Sequence, residues 1–205
     1  KPIAMQLDEK EEFSYDLTKR MGELGLFGMY LPIEYGGQGM DTLSYIIAVE
    51  ELARIDGSQA ATLAAHNSLG IGPLYYYGNE EQKKKYLPPL CNGEALWAFG
   101  LTEPEAGSDS RGTKTKAYLK DGEWNIDGSK IFITNGAAKI SIGATVQAVT
   151  GEKDGRKEFS TIIVEKGTKG FKQVSMHGKM MWRASDTAEL YFDDCKVPEE
   201  NLLGE

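Results

Sequence analysis

Cysteine and histidine are scarce in this 205-residue chain, with two of each. Cys91 and Cys195 lie far apart and form no CxxC pair, which excludes a disulfide framework and a zinc motif and favours a reducing compartment. His66 and His177 fall outside any HExxH pattern, and two imidazoles make no metal site without carboxylate help, so both are expected to be structural. Long apolar runs are also missing: nothing approaches the ~18 uninterrupted apolar residues of a bilayer span. Lys1 to Lys10 carry no apolar core of a secretion signal. Positive charge is not in excess, since 23 Lys and Arg face 31 Asp and Glu for a net charge of −8. That balance argues against broad binding of a nucleic-acid backbone. There is no GxxxxGK[ST] loop, no internal repeat and no low-complexity tract. What remains is an ordinary globular composition with 40% hydrophobic residues, enough for one large domain or two small ones.

Glycine is the abundant residue, 24 in all, about 12% against a usual ~7%. The pattern around those glycines changes along the chain. From Glu11 to Leu87 the apolar period is helical. Phe13, Leu17, Met21 and Leu24 make one stripe that ends at Gly25. Asp41 reads as the N-cap of a second helix with Leu43, Ile46, Ile47 and Ala53 facing inward. Ser58 to Tyr77 is apolar nearly all round and predicts a buried helix, weakened in its second half by Gly70, Gly72 and Pro73. Asn79-Glu80-Glu81-Gln82 predicts a capping box, and Lys83, Lys84 and Lys85 then form a solvated face rather than a nucleic-acid patch.

After Trp97 the period becomes two. Trp124 and Ile126 alternate with polar neighbours between Asp121-Gly122 and Asp127-Gly128, both read as hairpin signals. Further strands are expected at 96–102, 116–120, 129–134, 143–149, 159–165 and 189–192. Helices first and strands second predict an α+β chain: an N-terminal all-helical domain over 1–97, a middle β-sandwich or barrel over 98–195, and a linker over 196–205.

Three glycine-containing segments are candidates for chemistry. Glu34-Tyr35-Gly36-Gly37-Gln38-Gly39 lies between helices and follows no strand, so it reads as a turn. Phe99-Gly100-Leu101-Thr102-Glu103-Pro104-Glu105-Ala106-Gly107-Ser108-Asp109 carries a strand out into a loop without bulk from Ala106 to Ser108. Such a loop lets backbone N–H groups approach an anion or a flat ring, with hydroxyl donors at Thr102 and Ser108. Taken alone it is equally a connection between helices and sheet. Lys130-Ile131-Phe132-Ile133-Thr134-Asn135-Gly136 ends a strand with an aromatic that is either core or the flank of a planar ring.

These last two segments resemble the two signature stretches of the acyl-CoA dehydrogenase family of flavoenzymes. The similarity extends through Leu24-Gly25-Leu26, Pro32, Glu34–Gly39, Gly78–Lys83 and Tyr86-Leu87-Pro88 to Ser185-Asp186-Thr187, Phe192-Asp193-Asp194 and Val197–Asn201. The resemblance implies oxidation of an acyl-CoA thioester to the 2-enoyl-CoA, with FAD taking the β-hydride while a carboxylate removes the α-proton. By residue it implies a flavin wall from Phe99, Leu101, Thr102, Gly107 and Ser108, with Thr102 near flavin N5. Phe132, Ile133 and Thr134 form a second wall, and Ser108 also contacts the acyl-CoA. It further implies an electron-transfer flavoprotein as electron acceptor and a homodimer or homotetramer. A cytoplasmic location is expected, with the mitochondrial matrix second. An acyl-CoA oxidase or flavin monooxygenase of the same fold, or a non-catalytic flavin- or CoA-binding protein, are the alternatives.

The chain departs from the family pattern in places. Phe132 stands where many members have Trp and so lacks an indole N–H, and Glu105 stands where Gly is common. Aligned without gaps, Ala60 falls near an Arg that glutaryl-CoA enzymes use for a distal carboxylate, which disfavours a dicarboxylyl substrate. The family's C-terminal helical bundle, which carries the catalytic Glu, is expected beyond Glu205, and most of its first helix is expected before Lys1. No catalytic residue and no metal ligand is therefore assigned, and the fragment by itself is expected to be inactive.

Overall fold

The computed structural model describes residues 2–204. Helices come first: α1 (Ala4–Lys10), α2 (Tyr15–Glu23), α3 (Thr42–Ala53), α4 (Gly57–Ala65), α5 (Gly72–Tyr77) and α6 (Glu80–Cys91). Their starts are chemically marked. The Ser14 hydroxyl accepts from Leu17 N–H at 3.3 Å, and Asp41 accepts from Ser44 N–H at 2.8 Å. At α6 the capping box is complete, with Gln82 N–H on Asn79 at 2.8 Å and Asn79 N–H on Gln82 at 3.0 Å. Lys84 and Lys85 face solvent, while Lys83 leans over the rings of Tyr35 and Tyr75, 5.9 Å from each. No helix among the described residues is long and apolar enough to cross a membrane.

Two helical faces differ from the sequence expectation. In α3 the inward residue is Tyr45, backed by Val49 and Leu52, whereas Leu43, Ile46 and Ile47 are exposed by 65%, 50% and 51% and Ala53 is exposed too. The Tyr45 hydroxyl donates to Ala64 C=O at 2.9 Å, so the ring enters the core with its polar end satisfied. Leu24 is also exposed, because α2 has already ended and Gly25 adopts φ +71°; Phe27 fills the core instead.

The expected buried helix over 58–77 is continuous but not uniform. Asp56 caps it through Ser58 and Gln59 N–H, and a π-helical turn, His66–Ile71, joins α4 to α5. The wide turn receives the start of the sheet. A Cβ on Gly70 would stand 2.7 Å from Trp97 C=O. His66, wholly buried, accepts from Trp97 N–H at Nδ1 (3.3 Å) and donates from Nε2 to Leu90 C=O (2.9 Å). One histidine nitrogen thus holds this turn to the start of the sheet and the other holds it to α6, and burial pushes the imidazole down to about 4. The far end is not buried: Leu69, Tyr76 and Tyr77 are exposed.

The strands are β1 (Leu96–Gly100), β2 (Lys116–Lys120), β3 (Glu123–Thr134), β4 (Ser141–Lys153), β5 (Arg156–Glu165), β6 (Phe171–Ser175), β7 (Thr187–Pro198) and β8 (Leu202–Leu203). They join in one mixed sheet ordered β6-β7-β3-β2-β4-β5-β8, with β1 parallel to β4. The sheet bends over so that its two wings share a core. Ala98, Ala144, Val146, Ile162 and Val164 come from one wing, and Ile126, Ile133, Ala188, Leu190 and Phe192 from the other. This is the helix-then-β architecture expected from the α+β order.

Asp121-Gly122 is indeed the β2–β3 turn, with φ +54° and +78°. Asp127-Gly128 is not a turn; it lies inside the long β3 at a break in register between Ile126 and Gly128. Gly128 takes φ +144°, and a Cβ there would meet Thr115 at 2.6 Å, so close approach of the neighbouring chain explains the glycine. A second core joins helices to sheet, with Phe27, Leu63, Leu74, Leu87 and Leu90 packed against Leu96, Trp97, Ile163 and Leu203.

Candidate functional site

β1 pairs with β4 from Leu96 to Gly100 and then leaves the ladder. Ile131 N–H donates to Thr102 C=O at 2.9 Å, so the exit of β1 is stitched to β3 one residue before Phe132. Glu103 and Ala106 exchange backbone hydrogen bonds of 2.9 and 3.1 Å, which closes a tight turn with Pro104 and Glu105 at its exposed tip. The turn leaves the Glu105 side chain exposed to solvent.

Beneath this turn lies a buried ion pair. Glu103 is only 4% exposed and Lys130 only 1%. Their charged groups are 2.8 Å apart, Lys130 also donates to Leu101 C=O at 3.1 Å, and Glu103 accepts from Lys114 N–H (2.6 Å) and Thr115 N–H (3.0 Å). Burial alone would raise the Glu103 carboxyl, but the Lys130 ammonium and the Thr115 and Lys114 donors outweigh it and hold the carboxyl below its ordinary range. Burial lowers the Lys130 ammonium while the Glu103 carboxylate opposes that shift, and every one of these groups is partnered, as a buried ion pair requires. Sequence reasoning missed it. An acid directly after Thr102 and a lysine in an otherwise apolar strand were the available signals.

Phe132 owes its placement to an irregularity. Strict alternation would put Lys130 and Phe132 on one face of β3. The β3–β7 register breaks between Lys130 and Ile133, and Phe132 takes φ +61°. Lys130 and Ile133 therefore both point inward, and Phe132 is thrown outward with 62% of its surface exposed. A left-handed backbone at an aromatic residue costs on the order of 1–2 kcal/mol, and such outliers gather at ligand sites. An exposed, rigidly aimed aromatic ring beside the Thr102 strand end is a surface suited to a flat ligand.

The remaining sequence candidates divide. Leu101 and Thr102 are half-buried beside Ile131, and the Thr102 and Ser108 hydroxyls have no hydrogen-bond partner among the described residues. Gly107 and Ser108 are exposed, and a Cβ on Gly107 would meet nothing within 4 Å, which leaves an open cradle over the backbone. Thr134 is half-buried opposite Thr187. The Ile133 side chain is in the sheet core, 3% exposed, so only its backbone can face a ligand. Phe99 sits apart from Phe132: it lines a separate cavity of about 320 Å³ with Pro73, Tyr77, Phe159 and Leu203. Ala60 is 4% exposed on α4. Among the described residues no three His, Cys, Asp or Glu side chains converge on a metal-sized point. Burial pushes the Cys91 thiol up to about 12 and Cys195 to about 11, which keeps both as inert thiols.

An α-helical region leads into a mixed sheet that presents an outward aromatic at Phe132 and, among the described residues, an unpartnered hydroxyl at Thr102, a surface open to a flat ligand. The comparison with known proteins is more specific. Residues 1–94 match the acyl-CoA dehydrogenase N-terminal domain and residues 98–195 the acyl-CoA dehydrogenase middle domain. The chain belongs to the acyl-CoA dehydrogenase family. It is 47% identical over 204 residues to a short-chain specific acyl-CoA dehydrogenase of Clostridium acetobutylicum, covering 100% of this chain and 53% of the relative. Butyryl-CoA dehydrogenase of Megasphaera elsdenii superposes with a TM-score of 0.92 at 43% identity, covering 100% of this chain and 54% of that one. A glutaryl-CoA dehydrogenase of Mycobacterium smegmatis in complex with FADH2 gives 0.93 at 35% identity, covering 100% and 51%. The chain thus spans about half the length of the relatives it matches.

Proposed function

We propose that the protein containing this chain is an FAD-dependent acyl-CoA dehydrogenase that converts a short-chain acyl-CoA thioester to its 2-enoyl-CoA. What supports the reading is the family match over both domains together with the exposed Phe132 ring at φ +61°, next to Ile131, whose N–H donates to Thr102 C=O. FAD, when bound, supplies the acceptor for the β-hydride. This chain's residues supply the setting. Phe132 packs against the flat ring system and keeps water from it, and Thr102 and Ser108 offer hydroxyl donors to its polar edge. The open backbone at Gly107 and Ser108 admits close approach of the cofactor, and Ser108 also reaches the acyl-CoA. Leu101, Ile133 and Thr134 complete the wall through their backbone and flanks, whereas Phe99, which lines a separate cavity, is left out of it.

No carboxylate of this chain is assigned as the base. Glu103 is held as an anion by Lys130, and Glu105 is exposed. The family resemblance places the proton-abstracting carboxylate in the part of the relatives' length that this chain does not cover. A short, uncharged acyl group agrees with the short-chain specific and butyryl-CoA relatives, though not with the glutaryl-CoA one, and with apolar Ala60 on α4. Electrons leave to an electron-transfer flavoprotein, and the assembly is a homodimer or homotetramer. Titration of FAD into flavin-free full-length protein tests the site: wild type retains FAD through gel filtration, and Phe132→Ala releases it more readily. Equal retention by both would contradict the assigned wall. Rapid reoxidation of reduced flavin in air would replace the dehydrogenase assignment by an oxidase.

A further inference from the structure

The loop between β6 and β7, residues 176–186, carries a cation that the proposed flavin wall does not use. The loop is clasped to the end of α1. Glu11 accepts from Gly178 N–H at 2.7 Å and pairs with Arg183 at 2.6 Å, while Asp8 accepts from Arg183 N–H at 2.9 Å. Arg183 in turn donates to Lys179 C=O at 3.0 Å. Held in this way, the half-buried Lys179 reaches the start of β7 with its ammonium. It donates to Ser185 C=O at 2.6 Å, to the Ser185 hydroxyl at 3.0 Å and to the Thr187 hydroxyl at 2.8 Å. Three oxygens match the three donors of a protonated amine.

The acids nearby are engaged by other groups. Glu11 and Asp8 hold Arg183, and Asp186 accepts from Ala137 N–H at 2.7 Å and Ala138 N–H at 2.9 Å. Among the described residues Lys179 has no carboxylate within ion-pair distance. Its charge is bound by neutral dipoles and is not cancelled by direct contact. Burial draws the ammonium below its ordinary range, and Asp186, Glu11 and Asp8 oppose that shift from a distance.

The sheet decides where this charge sits. In the β3–β7 pairing Thr187 stands directly across from Thr134, and Ala188 across from Ile133. Ile133 and Ala188 point into the core, 3% and 0% exposed, so alternation sends Thr134 and Thr187 to the opposite face. Phe132 is exposed on that same face, two residues before Thr134. Side chains opposed in such a pair stand about 5 Å apart. The Lys179 ammonium, bonded to Thr187, therefore lies on the face that carries Phe132 and Thr134.

We propose that Lys179 is a positioning residue of the flavin site: it fixes Thr187 beside Thr134 and gives this face a positive charge that favours reduced over oxidised flavin. The inference rests on the function proposed above, which sets FAD against Phe132 and Thr134. A cation already in place before electrons arrive stabilises the negative charge they bring, at no cost of reorganisation.

The test is a spectroelectrochemical titration of FAD-loaded full-length protein without acyl-CoA, for wild type, Lys179→Met, Lys179→Gln and Lys179→Arg. FAD content after gel filtration is measured in parallel. Gln keeps amide donors without the charge, and Arg keeps the charge. The expected result is a midpoint potential about 30 mV more negative in the Met and Gln variants, a tenfold weaker preference for reduced flavin in a two-electron couple. Lys179→Arg should stay near wild type, and FAD content should be kept in the Gln and Arg variants. An unchanged potential in both neutral variants would overturn the proposal. So would a loss confined to Met, because hydrogen bonding alone would then suffice, or an Arg variant lowered as far as the neutral ones. If Lys179→Met folds poorly, the Gln and Arg potentials decide. A flavin that no acyl-CoA bleaches defeats the dehydrogenase reading alone, since these potentials are read without substrate. A wild-type protein that retains no FAD overturns both.

Discussion

The Glu103 carboxylate stands 2.8 Å from the Lys130 ammonium, with both side chains buried, and the pair gathers three stretches of chain at one point. Through Leu101 C=O, Lys114 N–H and Thr115 N–H it fixes the loop that leaves β1 and the strand that carries Phe132. Glu103→Gln removes one charge and leaves the other buried, a loss of about 3–5 kcal/mol. Denaturant unfolding should show that loss, and the joint replacement Glu103→Leu/Lys130→Met should recover much of it. Because the Glu103 carboxyl is held below its ordinary range, its contribution is present above the usual glutamate pKa and is lost as pH falls through the lowered value. The acid limb of the stability curve should flatten in Glu103→Gln.

His66 titrates in the opposite sense from a salt-bridged histidine. Its pKa is depressed to about 4 by burial, so between that value and the ordinary 6.5 the unfolded chain binds the extra proton. Stability contributed by neutral His66 is complete above about pH 6.5 and declines as pH falls toward 4, by about 3 kcal/mol over the whole interval. Urea midpoints at pH 7 and pH 5 should differ less in His66→Asn than in wild type.

Phe132 should show stability and function pulling apart. Phe132→Gly relieves the φ +61° backbone and removes a side chain that is 62% exposed, so little packing is lost. Unfolding should show a gain of about 1 kcal/mol while FAD retention falls. A destabilised variant that keeps FAD would contradict the role given to this ring.

Gly70→Ala should damage the junction of helices and sheet. Its Cβ would lie 2.7 Å from the backbone oxygen of Trp97, which cannot move as a side chain could. A loss of about 1–3 kcal/mol is expected from overpacking, read as a lower denaturant midpoint.

Much of this was legible in the residues. The caps at Asp41 and Asn79, the turn at Asp121-Gly122 and the change from helix to strand near Trp97 all rest on local chemistry, and local chemistry survives into the fold. What was not legible depends on partners distant in sequence. Tyr45 turns inward because Ala64 C=O receives its hydroxyl, which reverses the expected face of α3. Gly128 looked like a turn because the approach of Thr115 is invisible in a strand pattern. β6, with only Phe171 and Val174 to mark it, is an edge strand whose Phe171 stacks on Phe192 at 5.1 Å. At the candidate site the two segments that carry the resemblance, 99–109 and 130–136, are joined by the Ile131 N–H bond to Thr102 C=O. The register break that sends Lys130 inward and Phe132 outward is a property of the β3–β7 pairing and has no local mark.

The most direct measurement is the anaerobic addition of butyryl-CoA to the FAD-loaded full-length protein while flavin absorbance is recorded. The account predicts bleaching of the oxidised flavin band, with a butenoyl thioester as product. A protein that holds FAD in full occupancy yet shows no bleaching with butyryl-CoA or with longer and branched acyl-CoAs would contradict it.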